Sequence, residues 1–471
     1  MKPKVVDAGP NGPGSRSQGI EYTPGRSAPN FSFADVFAGI GGFHAALAAA
    51  GGQCVGAVEI DPDAARVYMR NWGRDPLGDI TEIANEDRVT IDPHDVLAAG
   101  YPCQPFSKSG FQRGMDEARG TLFWNIARIA EVHQPKVLLL ENVRNVAGPR
   151  HKHEWEVMVK TLRQLGYRVA DEAAVMSPHL IPPELGGRPQ VRERVFVTAT
   201  FVGQGAKMGD LVAEPVFRNR PLDEWNWNPQ KWDLEKHLPL DPDHHAEGCD
   251  LTAAERHWIK AWDEFVQIMW ERLEGHRLPG FPIWADEWVH RDELEIDPLT
   301  PAWKRAFLVK NSELYSEHKD TLDEWMRRWE VKTPKFPPSR RKFEWQAQDT
   351  PTLWECVMHF RPSGIRAKKP TYLPALVAIT QTSIIGPRER RLSPREAARL
   401  QGLPDWFDFG AQRNPATYKQ LGNGVNAGVV WQVLKAHVAR DKDLLEAGAP
   451  GLYKAVSALP DSPDAALDAM R

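Results

Sequence analysis

Cys103 stands in the string YPCQPFSKSG (101–110), where an apolar run ends and prolines restrain the backbone on both sides. A thiolate is a strong nucleophile, and the Ser-, Gly- and Arg-rich stretch Phe106–Gly120 has the composition of a loop that closes over one and excludes water. The competing reading is a buried structural cysteine. Glu141 ends the apolar run Val137–Leu140 in VLLLENV (137–143). Carboxylates are rarely buried unpaired, so this one either caps a neighbouring helix or acts on a ligand. QVRER (190–194) carries Arg192 and Arg194 at a two-residue step, which puts both on one side of a strand; a surface pair of arginines is the alternative. DVFAGIGGF (35–43) puts Gly39, Gly41 and Gly42 in a turn between a strand and a helix, where a ligand can approach the backbone closely. Glu59, ending the next strand, is placed to bond a ribose, and Asp79 in GDI (78–80) to meet an adenine. A plain tight turn remains open, and no Gly-Lys-Ser/Thr follows to make it a phosphate loop.

These residues need a scaffold that brings them to one edge. From residue 31 to about 200, short apolar strands alternate with amphipathic helices, the pattern of a parallel sheet covered by helices. Strands are expected at 31–37, 53–61, 95–102, 137–143, 167–175 and 194–200. Helices are expected after the 39–42 turn, at 122–133 and at 154–166. Beyond residue 200 the texture changes: 13 of the 18 tryptophans lie between 201 and 360. Thr252 and Glu255 form a capping-box signature ahead of a helix over 252–273, whose Trp258, Trp262, Phe265, Met269 and Leu273 stripe one face as core. A capped helix at 392–404 and a turn feeding a long helix at 416–439 complete the pattern.

Taken in order, DVFAGIGGF, VEID, GDI, PCQPFS, RGTLF (119–123), ENV, QVRER, RRLSPREAARLQGLPD (390–405) and YKQLGNGVN (418–426) closely resemble the DNA (cytosine-5) methyltransferase family in its bacterial restriction-modification and defence style. The resemblance covers residues 31 to about 200 and 355 to about 440. It implies an α/β, Rossmann-like S-adenosylmethionine-dependent methyltransferase fold with a mostly parallel sheet, and a second, smaller target-recognition domain containing a helical insertion. It also implies transfer of a methyl group from S-adenosylmethionine to carbon 5 of a cytosine flipped from double-stranded DNA, leaving S-adenosylhomocysteine. On this resemblance Cys103 attacks carbon 6, Glu141 bonds N3 and the exocyclic amine, Arg194 holds O2, and Arg192 fixes the catalytic loop or pocket. Phe37, Ala38, Gly39, Gly41, Gly42, Glu59, Ile60, Asp79, Ile80 and Pro102 would contact the cofactor, with Asn423 and Val425 closing the pocket; no metal is needed. Tyr101 stands where Phe is more usual and Ile60 where an aromatic is common, which weakens adenine stacking.

Four widely spaced cysteines, Cys54, Cys103, Cys249 and Cys356, make a disulfide framework or a zinc site poor readings. No run of 18 apolar residues and no signal-peptide pattern occurs, so a cytoplasmic, DNA-associated monomer is expected. The net charge of -4 hides an asymmetry: residues 201–300 hold 10 Lys and Arg against 21 Asp and Glu, whereas 301–370 hold 15 against 9. We therefore expect a leader over 1–30, a catalytic domain over 31–200, a recognition region over 201–385, returning motifs over 386–442 and a peripheral tail over 443–471. The acidic, Trp-rich 201–330 part, with its helical insertion at about 251–330, is expected as an added module. Arg366, Lys368 and Lys369, with Gln104, Ser107, Lys108 and Arg113 of the catalytic loop, are the expected DNA contacts. A catalytically dead DNA-binding scaffold and an RNA cytosine methyltransferase are the rival readings; a cognate restriction or phage-defence system is the expected partner.

Overall fold

The computed structural model describes residues 29–102, 121–217, 225–274, 280–376 and 382–471. The expected leader, but for its last two residues, and the Cys103–Gly120 loop lie outside these. The first body is built from β1 (Phe31–Val36), α1 (Gly42–Ala49), β2 (Gly52–Val58), α2 (Pro62–Trp72), β3 (Val96–Gly100), α3 (Leu122–His133), β4 (Val137–Val143), α4 (Lys152–Gln164), β5 (Tyr167–Ala170), β6 (Ala174–Met176), β7 (Gln190–Val191), β8 (Arg194–Phe201) and β9 (Val212–Ala213). The strand order is β2-β1-β3-β4-β8-β5-β9, with β6 also paired to β8. β1 is parallel to β2 and β3, and β3 to β4, whereas β8 runs antiparallel to its neighbours.

Strand alternation divides the core into two layers. Phe33, Val96, Ala98, Val137 and Leu139 pack on one face, and Ala34, Leu97, Ala99, Leu138 and Leu140 on the other. Continuous apolar runs therefore become strands buried on both sides. Because β1 has β2 on one side and β3 on the other, the chain reverses direction of winding between β1 and β3, and a crevice opens at their carboxyl ends. The expected strand 167–175 is interrupted: residues 170–173 face only 197–198 of β8, and the exposed Asp171 and Glu172 bulge outward.

The second body comprises α5 (Ala253–Arg272), β10 (Ile283–Trp284), α6 (Ala302–Glu317), α7 (Lys319–Arg328), β11 (Lys342–Trp345), β12 (Val357–Arg361), β13 (Gly364–Lys368), β14 (Leu373–Pro374), β15 (Ile384–Ile385) and β16 (Arg390–Arg391). The Thr252–Glu255 capping box forms. β10-β11-β13-β12-β15-β16 make one sheet, and the helices cover it. Trp262 stacks on Phe343 at 4.8 Å, and Trp262, Phe265 and Trp325 share a core with Trp345, Ile365 and Met358. The expected boundary near 330 therefore does not separate two modules: the helices before it are the other half of the basic strands' core. β14 leaves this body to pair with β7.

The chain returns through α8 (Pro394–Leu400), α9 (Asn414–Asn423) and α10 (Ala427–Arg440), then α11 (Lys442–Gly448), α12 (Pro450–Ser457) and α13 (Asp464–Asp468). The expectation of a peripheral tail is not met. Leu445, Leu452, Val456 and Leu467 are buried in the same core as α1 and α10, because small residues interrupt the periodicity without removing the apolar anchors. No helix among the described residues is long and apolar enough to cross a membrane. Leu452→Ala should lower stability by about 2–5 kcal/mol in urea unfolding; an unchanged midpoint would return the tail to the surface.

Candidate active site

The glycine turn follows β1 under evident constraint. Phe37 takes φ 58, a left-handed conformation costly for a side chain with a Cβ, and Gly39 and Gly41 take φ 55 and 91. Gly41 passes under Trp72, whose Nε1 donates to Ile40 O at 3.0 Å; a Cβ on Gly41 would come within 2.1 Å of that nitrogen. Gly42 abuts the segment after α9, where an added Cβ would lie 2.5 Å from Val425 O. Beside Gly39 a Cβ would meet nothing within 4 Å, so the turn is open there. Gly39 N donates to Glu59 Oε2 and Asp61 N to Glu59 Oε1, both at 2.7 Å. Each oxygen keeps acceptor capacity for a hydroxyl. Ile60, next along, is 68% exposed, an apolar surface beside a carboxylate, as an adenosine requires. These features fit a nucleoside-bearing ligand.

Asp79 caps a one-turn helix, accepting from Thr81 N and Thr81 Oγ1 at 2.9 Å. The Ile80 side chain is buried in the α3 core, so only its backbone faces outward roles. Asn423 is exposed at the end of α9, whereas Val425 is buried against Gly42. Ala38 is buried, its N donating to Val58 O at 2.9 Å.

Glu141 lies at the carboxyl end of β4, paired in register with Gly100 of β3. A Cβ at Gly100 would stand 3.5 Å from Glu141 Oε2. Arg194, opposite Val143 on β8, brings Nε to 2.9 Å from Glu141 Oε1. Oε1 has no aligned hydrogen-bond donor, so this contact is an ion pair rather than a hydrogen bond. Burial pushes the Glu141 carboxyl upward, against the downward pull of Arg194 and Arg192. Asn142 Nδ2 donates to Tyr101 O at 3.0 Å, tethering the backbone two residues before Cys103. Pro102 is exposed; Cys103, Gln104, Ser107, Lys108 and Arg113 lie outside the described residues.

Arg192 and Arg194 lie on either side of the break between β7 and β8, with Arg192 before β8 and Arg194 opening it, and they take different partners. Arg192, 2% exposed, donates to Leu376 O at 3.3 Å, Gly422 O at 3.0 Å and Gly424 O at 2.6 Å. Burial and the neighbouring Arg194 lower its pKa to about 9, so it remains a cation at neutral pH. Sequence reasoning missed the roles of Trp72 and Asn142, whose partners are distant in the chain. It also passed over Asp35, wholly buried beneath the turn. Asp35 Oδ2 accepts from His44 N at 3.2 Å, and Oδ1 has no hydrogen-bond partner; burial drives its pKa well above the usual range.

The family model for C-5 cytosine-specific DNA methylases matches residues 31–439. The chain belongs to that family. It is 49% identical to the type II methyltransferase M.AluI of Cellulosimicrobium cellulans over 93% of this chain and 98% of that protein. It is 28% identical to the type II methyltransferase M.BanI of Aneurinibacillus aneurinilyticus over 86% of this chain and 94% of that one. Similarity to the type II methyltransferase M.HhaI of Haemophilus parahaemolyticus, 43% identity, covers 35% of this chain and 47% of the relative. The enzyme is an S-adenosylmethionine-dependent DNA (cytosine-5) methyltransferase, as the motif series implies.

Gly42→Ala should cost about 1–3 kcal/mol by forcing Val425 away and should weaken S-adenosylmethionine binding; thermal melts with and without the cofactor check both.

Proposed function

We propose that Cys103 is the nucleophile and that Glu141 and Arg194 hold the target cytosine, turned out of a specific double-stranded DNA sequence. The observation that carries this reading is the buried Glu141, ion-paired to Arg194 at the carboxyl ends of the strands, beside the Tyr101 carbonyl that Asn142 holds. The Cys103 thiolate adds to carbon 6, forming a C–S bond and moving electron density onto carbon 5. Glu141, its carboxyl pushed toward the protonated form by burial, gives a proton to N3 as that density develops, while Arg194 bonds O2. Carbon 5 then takes the methyl group, a base removes its proton, N3 returns its proton to Glu141, and the C–S bond breaks to return the thiolate. S-adenosylmethionine, when bound, supplies the methyl group as a sulfonium electrophile. Phe37, the 39–42 turn, Glu59, Ile60 and Asp79 are the residues that would hold it, with Asn423 at the rim. Withdrawing the base from the duplex costs a few kcal/mol, offset by these contacts.

Arg192 acts as a positioning residue: its bonds to the Gly422 and Gly424 carbonyls set the segment that meets Gly42. The type II designation of the relatives supports a setting beside a restriction endonuclease or defence system, with the enzyme acting as a monomer on nucleoid DNA in the cytoplasm.

A duplex carrying 5-fluorocytosine at the target should become covalently attached to the wild-type enzyme in the presence of cofactor, because the carbon 5 fluorine cannot leave as a proton does. Cys103→Ser should form no adduct and no methylated product; turnover near wild type in that variant would refute the nucleophile. Glu141→Gln should lower kcat about a hundredfold or more with DNA affinity retained. Since burial raises the Glu141 pKa, the rate in wild type should fall as pH rises through that raised value, and the glutamine variant should lose this limb of the pH profile.

A further inference from the structure

The face of the recognition sheet turned away from its tryptophan core carries a row of charged side chains that catalysis does not use. Alternate residues of β11, β13 and β12 point to opposite faces. Phe343, Trp345, Ile365, Ala367, Met358 and Phe360 enter the core with Trp262. On the other face Glu344 is in register with Arg366, and Arg366 with His359, with Arg361 and Lys368 flanking. Val357, on this same face, belongs to the core of the catalytic body together with Leu373 and Ile385. Lys368 Nζ lies 3.7 Å from the centroid of Tyr372, whose ring is 5.3 Å from that of His179 in the catalytic body. The row therefore looks toward the catalytic side.

Glu344 Oε2 accepts from Arg366 Nε at 2.6 Å, with Nη2 at 2.5 Å, and Arg361 Nη1 stands 3.9 Å from the same oxygen. That carboxylate holds Arg366 by hydrogen bond and stands within ion-pair range of Arg361. Engagement of the Nε edge of Arg366 leaves its terminal Nη donors for another acceptor pair. Arg361 keeps 42% of its side chain exposed, yet its Nη1 has no hydrogen-bond partner, and His359 Nε2 is likewise enclosed without one. Leaving an enclosed polar atom without a partner costs free energy, and two such atoms lie side by side on this face. Burial and the three surrounding cations keep His359 neutral, its pKa lowered to about 3. Lys369, by contrast, is paired to Asp349 at 2.5 Å on the rim.

A fork held in one plane suits two acceptors at fixed spacing, whether on a phosphate or on a base edge, and a sheet face that is seated against the catalytic body favours the base edge. Guanine presents O6 and N7 in the major groove in that arrangement. We propose that Arg366, held by Glu344, and the neighbouring Arg361 read guanine bases of the target sequence and so determine which cytosines are methylated. The proposal rests on duplex DNA being the substrate, and it assigns to these two arginines base readout rather than the general phosphate contact expected from charge.

The target is first identified by bisulfite sequencing of DNA methylated by the wild-type enzyme. Each of its guanines is then replaced by 7-deazaguanine, which lacks the N7 acceptor, in duplexes offered to the unaltered enzyme. Replacement at a read guanine should lower kcat/KM and binding roughly ten- to a hundredfold. Arg366→Gln or Arg361→Gln should relax preference at one position of a randomised duplex library, and Glu344→Gln should blunt the same preference. Lys369→Gln should weaken all sequences evenly. The proposal is overturned by a target with no guanine besides the partner of the methylated cytosine. Tolerance of 7-deazaguanine at every position, or an even loss across all sequences in both arginine variants, would do the same. The modified duplexes need no protein variant, so misfolding cannot mimic the result. Failure of the wild type to trap a 5-fluorocytosine duplex would instead remove the Cys103 assignment, and gel-shift binding of the modified duplexes would still decide the arginines.

Discussion

A single buried cation ties the three parts of this molecule together. Arg192 lies between β7 and β8, and its guanidinium is bound by carbonyls of Leu376, Gly422 and Gly424. Those carbonyls belong to the segment just after β14 and to the turn that closes on Gly42. Carbonyl oxygens solvate a cation without neutralising it, so its charge still acts on Glu141. Arg194 meets the carboxylate directly. The site thus holds two guanidiniums against one carboxylate, a net positive field suited to a thiolate and to the oxygen of a pyrimidine.

Cofactor chemistry and base chemistry meet where β1, β3 and β4 end. The switch between β1 and β3 opens the crevice, the strained Phe37 and the Gly39–Gly42 turn shape one wall, and Gly100 keeps space beside Glu141. The same closeness that lets Gly42 touch Val425 makes the pocket depend on the α9–α10 segment, more than 380 residues away in sequence. Arg192 anchors that segment from behind, so the two ends of the family pattern are mechanically one structure.

Much of this was legible from residue types. The strand over 137–143 and the helix over 122–133 have the expected bounds, because an unbroken apolar run and a capping threonine are local signals. The break in 167–175 arises from a bulge against β8, and the buried tail from anchors spaced by small residues; both are decided by partners elsewhere in the chain. Arg192 and Arg194 looked equivalent at a two-residue step, and only the interruption before β8 sends them to different partners. The supposed module boundary near 330 followed from charge, yet cores are set by apolar contacts, and Trp262 on Phe343 crosses it.

That shared core also joins an acidic segment to the sheet that carries the arginine row. Residues 201–300 carry a net charge of -11, and nearly all of it lies in the connecting segments on either side of α5 rather than on that helix. The arginine row lies on the face of the sheet opposite the tryptophan core. The orientation of the sheet, with Val357 embedded in the catalytic core and β14 paired to β7, turns the arginine row toward the catalytic body.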